Sequence, residues 1–386
     1  MKLIACTTAL VLTAALGVTA AALPSTAAPA TTASIRTEAA VSLPVPSGRL
    51  PVGLDRFELV DRSRTDPWVP ASGSRRLMVS VWYPALPTPG EPAPYLTEAE
   101  AKGLVDFRQL PLDPKAIAGV RGVAKTGTPI RPALHRYPLV VLSPGFTLPV
   151  ATLTSLAQDL ASKGYVVAGI DHAYESSGTE FPDGTVKSCV ACEVGEAEQV
   201  PPIRAADVSF VLDHLVGPKP GWRGSRWIDA RRIGMAGHSI GGNSAADAMV
   251  ADPRIDAGVN LDGTFFTPLP STGVRKPFLL VGAPGTHTPG DEVDRSWDDS
   301  WNLLTGYRRW FVLPETGHLS FTDFAPLAKR FGLPADPEAP LDGDRTDEVT
   351  RALVTGFLDH HLRGLPSAPI LDGADPRYPE AVRQTP

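Results

Sequence analysis

From Tyr137 onward, short and largely apolar runs alternate with stretches whose apolar residues recur at helical spacing, and this alternation constrains the fold more than any other feature. Residues 139–142, 165–170, 233–237, 257–261, 277–281 and 310–313 are too short for core helices. Their continuity predicts strands buried on both faces, as in a parallel sheet. Between them, residues 152–163 carry Leu153, Leu156, Ala157 and Leu160 on one face and end at Gly164, a C-cap signal. Residues 203–215 gather Ala206, Phe210, Val211 and Leu215 on one side, residues 243–250 read as a small-residue helix, and residues 350–362 as a closing helix. The pattern predicts an α/β fold with a mainly parallel central sheet and helices on both faces, with ligands at the carboxyl ends of the strands. Upstream, residues 55–60 and 76–83 alternate apolar and polar, with Leu77, Val79 and Val81 pointing one way, which predicts an antiparallel N-terminal edge. Residues 97–104 are expected to form a short helix capped by Thr97.

The chain has 386 residues, 43% of them hydrophobic, which is enough for one large core. Its net charge of −6, with no run of basic residues, argues against a nucleic-acid partner. Lys2 precedes an almost wholly apolar, small-residue stretch, and Ala28-Pro29-Ala30 offers an A-x-A cleavage site. This predicts a secretory signal peptide over residues 1–30, with a membrane anchor as the alternative. An Ala/Pro/Thr-rich linker is expected over residues 31–48, and a single domain over 49–386. Export would leave Cys189 and Cys192 in an oxidising compartment, where a local disulfide is expected. A zinc site would need further ligands beside this pair, and no second cysteine pair exists.

The chemistry centres on Gly237-His238-Ser239-Ile240-Gly241, a G-x-S-x-G sequence that a strand precedes and a small-residue helix follows. This context predicts a nucleophile elbow of the α/β-hydrolase fold. Ser239 stands on a tight strand-to-helix turn, Gly237 and Gly241 keep that turn free of side chains, and the helix N-terminus favours negative charge beside the serine. A serine needs a base, and the base a carboxylate, in the chain order Ser, acid, His. His318 follows the last apolar run by a short turn and is the expected base. His287 lies in a Pro/Gly-rich loop as the alternative, and His360 and His361 fall in the closing helix. His238 should point away from the serine. For the acid, position leaves two choices: Asp262, directly after residues 257–261, or the next loop, with Asp291, Glu292, Asp294, Asp298 and Asp299. Two backbone N–H groups should form an oxyanion hole, one from Ile240 and one from Phe146 in Ser143-Pro144-Gly145-Phe146.

At these residues the chain resembles the plasma-type (isoform II) platelet-activating factor acetylhydrolase family of the α/β-hydrolases. The matching pieces are residues 137–146, 159–165 and 207–213, the elbow with Gly242, Leu261-Asp262, and Gly317-His318. The resemblance implies Asp262 as the acid and Phe146 and Ile240 as oxyanion donors. Pro144 departs from a pattern that often has His there. The resemblance also implies hydrolysis of carboxylic esters with short or modified acyl chains, acetylated phospholipids included, with no cofactor. A secreted acyltransferase, a polyester hydrolase and a non-catalytic hydrolase-fold binding protein are the alternatives. Transient contact with lipid surfaces would depend on an exposed apolar patch, and nothing in the sequence indicates an obligate protein partner.

Overall fold

The computed structural model describes residues 40–386, residue 335 excepted. The expected leader and the first part of the expected linker lie outside the described residues.

The strands are β1 (Val52–Thr65), β2 (Ser74–Pro84), β3 (Glu91–Pro94), β4 (Arg121–Thr126), β5 (Tyr137–Ser143), β6 (Val166–His172), β7 (Thr179–Glu180), β8 (Val186–Lys187), β9 (Ile228–His238), β10 (Ile255–Leu261), β11 (Phe278–Gly282), β12 (Arg308–Val312) and β13 (Val382–Arg383). Apart from the small β7–β8 hairpin they form one sheet in the order β13-β12-β11-β10-β9-β5-β6-β2-β1-β4-β3. From β12 to β6 every neighbouring pair is parallel. β2 runs antiparallel to β6 and to β1, giving the expected N-terminal edge.

Alternation along the central strands fixes the layers. Leu139 and Val141 of β5 pack with Val208, Val211, Leu212, Ala245 and Ala246, which belong to helices Val200–Val216 and Ile240–Ala251. Val140 and Leu142 point the other way, onto Leu156, Leu160, Leu353 and Phe357 of helices Thr154–Ser162 and Gly343–Arg363. Each such side chain contributes roughly 1.5–3 kcal/mol by leaving water, which is why a one-residue slip of a central strand is forbidden.

Three expectations need correction. The region read as linker is already docked by residue 43. Leu43 is buried, its N–H bonds Arg121 O and Arg121 N–H bonds Val41 O (both 2.8 Å), and Ser47 donates twice to Asp159. The backbone satisfies itself on the β4 edge, so low hydrophobicity did not leave it free. The closing helix starts at Gly343 rather than 350, because the Asp342 side chain accepts the Asp344 and Arg345 N–H groups as a cap. The Val200–Val216 helix buries Arg204, Ala205, Asp207, Val208, Val211, Leu212 and Leu215, whereas Ala206 and Phe210 are only half-buried. Its inner face includes two charges that hydrophobic spacing alone would place outside.

Candidate active site

β9 ends at His238 and the Ile240–Ala251 helix begins one residue beyond Ser239. The turn is so tight that a Cβ on Gly237 would stand 2.1 Å from the Gly241 carbonyl, and one on Gly241 would stand 2.1 Å from Ser143 O. No side chain fits at either position. Ser239 itself has φ +56° and ψ −130°, a strained conformation for a residue with a side chain. It puts the serine oxygen at the carboxyl ends of the parallel strands, beside the first free N–H groups of the helix.

His318 follows β12 on the Gly317 turn, and its Nε2 lies 2.9 Å from Ser239 Oγ. His318 Nδ1 lies 2.7 Å from Asp262 Oδ2. Asp262 directly follows β10 at φ +56°, where it is 1% exposed. Burial alone would raise its proton affinity. The bonds from His287 and His318 outweigh that and hold it well below the ordinary carboxylate range, so it is an anion. The three residues form an unbroken string from carboxylate to imidazole to hydroxyl. Its outer end is open, since the His318 side chain is 52% exposed.

Phe146 and Ile240 meet on one small apolar cluster with Trp68, Met78, Tyr174 and Phe181, and the partly buried Val190, Ile203 and Phe266 pack against it. The Ile240 N–H belongs to the first helical turn and has no intrahelical acceptor. Among the described residues the Phe146 N–H meets no acceptor either, whereas its neighbour Thr147 N–H bonds Glu175 O at 2.9 Å. Both expected oxyanion donors are therefore uncommitted. Cys189 and Cys192 are joined as a disulfide, and Val190 and Ala191 between them belong to the same cluster.

The rival candidates lie elsewhere. Asp291 accepts from Val293 N–H in its own loop, and His360 and His361 pack around Tyr307. His287 reaches Asp262, but on the carboxylate oxygen that faces away from His318 (Oδ1, 2.8 Å). His238 is buried, its Nε2 lies 2.7 Å from His318 O, and its ring packs 4.7 Å from that of His318. Burial, together with the His318 ring, pushes His238 down to about 3, so it is a neutral donor that fixes the His318 backbone.

Hydrophobic patterning misses a buried charged network beneath the Ser143–Phe146 turn. Arg204 donates to Glu175 (2.7 Å), to Ser143 Oγ (3.1 Å) and to Pro144 O (2.5 Å). Arg75, wholly buried, joins Glu175, Asp207 and Asp66. Asp207 also bonds His172 Nδ1 at 2.8 Å, and His172 Nε2 lies 3.1 Å from Ser143 Oγ. This second serine–histidine–carboxylate string is closed to substrate, because Ser143 is fully buried and receives the Arg204 guanidinium. Against the effect of burial, Arg75 holds Asp207 far below its ordinary range, and Arg204 and Arg75 lower Glu175. The signal that could have found the network is the pair Arg204 and Asp207, three residues apart on the inner side of an apolar helix.

Neither the cavity of about 690 Å³ between β1, Trp82, Tyr95 and Trp222 nor that of about 730 Å³ beside Leu50, Val52 and Leu86 is lined by Ser239, His318 or Asp262. The serine string instead faces an open surface.

A mainly parallel sheet with a glycine-flanked serine at a strand-to-helix turn, and a histidine and carboxylate aligned on it, defines a serine ester hydrolase of the α/β-hydrolase fold. The comparisons with known proteins agree. The platelet-activating factor acetylhydrolase, isoform II, family matches residues 38–204. A solved ferulic acid esterase from Streptomyces cinnamoneus is 42% identical, with a TM-score of 0.81 over 90% of this chain and 100% of that one. A probable 1-alkyl-2-acetylglycerophosphocholine esterase of Arthroderma benhamiae is 29% identical over 88% of this chain and 93% of its own length. A bis(hydroxyethyl) terephthalate hydrolase of Streptomyces coelicolor is 30% identical over 38% of this chain and 39% of its own. The chain is thus an esterase of the α/β-hydrolase fold, and it carries its resemblance to the platelet-activating factor acetylhydrolase isoform II family over residues 38–204.

Proposed function

We propose that this esterase is a secreted carboxylester hydrolase that cleaves esters with short or modified acyl chains, using Ser239 as nucleophile, His318 as general base and acid, and Asp262 as the orienting carboxylate. The observation that carries this reading is the string Ser239 Oγ–His318 Nε2 at 2.9 Å and His318 Nδ1–Asp262 Oδ2 at 2.7 Å. His318 takes the Ser239 proton as the oxygen attacks the ester carbonyl. The N–H groups of Phe146 and Ile240 receive the developing oxyanion. His318 then protonates the leaving alcohol, and water, activated by the same imidazole, releases the acid from Ser239. The apolar start of the chain supports export, and the Cys189–Cys192 bond fits an oxidising compartment.

A second reading concerns the acyl group. Phe146 and Phe266, both partly buried, pack against the cluster that contains Ile240, next to the serine in sequence, and could offer stacking faces to an aromatic acid. Relatives named for ferulic acid and terephthalate esters support the same direction.

The test is turnover of p-nitrophenyl esters from acetyl to palmitoyl, of an acetylated ether phospholipid and of methyl ferulate, with Ser239→Ala, His318→Ala, Asp262→Ala and Asp291→Ala beside the wild type. Loss in the first three variants and retention in Asp291→Ala are expected, with acetyl esters preferred over palmitoyl. Preference for ferulate over acetyl esters favours the aromatic reading. Full activity in Asp262→Ala, or in His318→Ala, refutes the assigned roles.

A further inference from the structure

Asp262 has two occupied faces. Oδ2 meets His318, while Oδ1 accepts from the Ala283 N–H (2.7 Å) and lies 2.8 Å from His287 Nδ1. The other nitrogen of His287 lies 3.2 Å from Asp294 Oδ2, at ion-pair distance but not aligned as a hydrogen bond. Asp294 also accepts from Thr264. One imidazole thus stands between two carboxylates, each of which can only accept. A neutral ring offers a single N–H, here to Asp262, and would leave its other nitrogen lone pair facing the Asp294 carboxylate, so the arrangement favours the imidazolium.

The surroundings hold this ring in place. It stacks on Trp297 at 4.0 Å and 28°, and Trp297 Nε1 donates to Gly263 O, the residue after Asp262. Trp310 Nε1 donates to His287 O. Trp297 and Trp310 are both fully buried. No step of ester hydrolysis as described above uses His287, yet two tryptophans and two carboxylates fix it.

Building on the assignment of Ser239, His318 and Asp262, we propose that His287 and Asp294 are positioning residues for the reaction. His287 clamps the far oxygen of Asp262 as a cation, Asp294 holds that cation in place, and the charge seen by His318 is set by all three. The raised proton affinity of His287 is in keeping with this. Burial opposes it, but the bond to Asp262 and the adjacent Asp294 carboxylate push the ring up to about 9. The groups facing the array are Asp262 and Asp294 around His287, and Ser239, Asp262 and the neutral His238 around His318.

The consequence is an electrostatic signature. Replacing His287 with glutamine keeps an N–H for Asp262 and deletes a positive charge one carboxylate away from His318. The His318 proton is then held more tightly, so the acid limb of the kcat/KM profile moves to higher pH, by about one unit. Replacing Asp294 with asparagine deletes a negative charge instead, so the limb moves the opposite way and by less, since Asp294 is farther off. The plateau falls by about tenfold in His287→Gln, as for a hydrogen bond to Asp262 weakened from a cationic to a neutral donor, with KM little changed.

The experiment is the pH dependence of kcat/KM on p-nitrophenyl acetate for the wild type, His287→Gln and Asp294→Asn, each confirmed folded by circular dichroism, with His318→Ala alongside. Opposite displacements of the acid limb support the proposal. Coincident limbs in folded variants overturn it, even where the plateau falls, because a purely structural role lowers the rate without moving the profile. Asp294 is partly exposed, so Asp294→Asn tests the proposal if His287→Gln does not fold. Turnover retained in His318→Ala overturns the underlying assignment together with this extension, an outcome distinct from coincident limbs.

Discussion

Replacing Arg204 with methionine keeps the length of the side chain and removes its charge from a site that is 1% exposed. Three acceptors lose a donor at once: Glu175 Oε2, Ser143 Oγ and Pro144 O. Glu175 keeps Arg75 and the Trp68 Nε1 on its other oxygen, so the cluster remains partly compensated. Breaking a buried, hydrogen-bonded charge pair destabilises by about 3–5 kcal/mol. With an unfolding entropy of about 2 cal/mol/K per residue, a chain of this length loses about 4–6 °C in Tm. The kinetic effect follows from geometry. Pro144 O is two residues from the Phe146 N–H, and freeing that turn blurs one oxyanion donor. We expect kcat to fall by about tenfold, less than the 10²–10³ of deleting a donor outright, with KM little changed. Differential scanning calorimetry and p-nitrophenyl acetate kinetics measure the two effects. An unchanged Tm would refute the reading of the network as a buried set of mutually compensating charges. A lowered Tm with wild-type kcat would refute the link between Arg204 and the oxyanion turn.

Two further outcomes are expected. The folded-state value of His287, about 9, lies above its ordinary 6.5, so the folded state binds the proton more tightly. Its contribution is fully present below pH 6.5 and is lost as pH rises through 9, at most about 3 kcal/mol. Thermal melts should fall across that window in the wild type and stay flat in His287→Gln. Cys189 and Cys192 are three residues apart, so opening their bond frees only a very short loop and lowers stability by no more than about 2 kcal/mol. Val190 and Ala191 lie between the cysteines on the cluster that holds Ile240. Cys189→Ser/Cys192→Ser should therefore raise KM two- to fivefold at constant kcat, and an unchanged KM would show that this wall does not touch substrate.

Much of this architecture is written in hydrophobic periodicity. The apolar runs at 139–142, 257–261 and 310–313 reappear in β5, β10 and, Leu313 apart, β12, because a strand buried on both faces leaves few positions for polar residues; Asn260 in β10 is one, and it is hydrogen-bonded to Gly263. Ser239 and His318 were legible for a related reason. Each sits where a strand of the parallel sheet ends, and a sequence that reveals the strands also reveals their carboxyl ends. The choice of Asp262 over Asp291 came from resemblance, since both follow strands. Contact separates them: Asp262 accepts from His318, and Asp291 from its own loop.

What remained hidden consists of polar groups satisfied by partners far away in sequence. Arg204 pairs with Glu175 and serves the Ser143–Phe146 turn, and Arg75 reaches Asp207 across 132 positions. A buried charge has no periodic signature, because its partner rather than its spacing makes its burial tolerable. His287 illustrates the limit most sharply. By sequence it competed with His318 for one role, since both follow strands and both can reach the same carboxylate. The two imidazoles in fact occupy opposite oxygens of Asp262, and only the one on Oδ2 continues to a hydroxyl. Chain order can say which residues converge on a carboxylate. Which side of it each one takes is decided by packing, here the stack of His287 on Trp297 and the grip of His238 on the His318 backbone. The difference between a base and a group that steadies the base's partner is therefore a property of the fold.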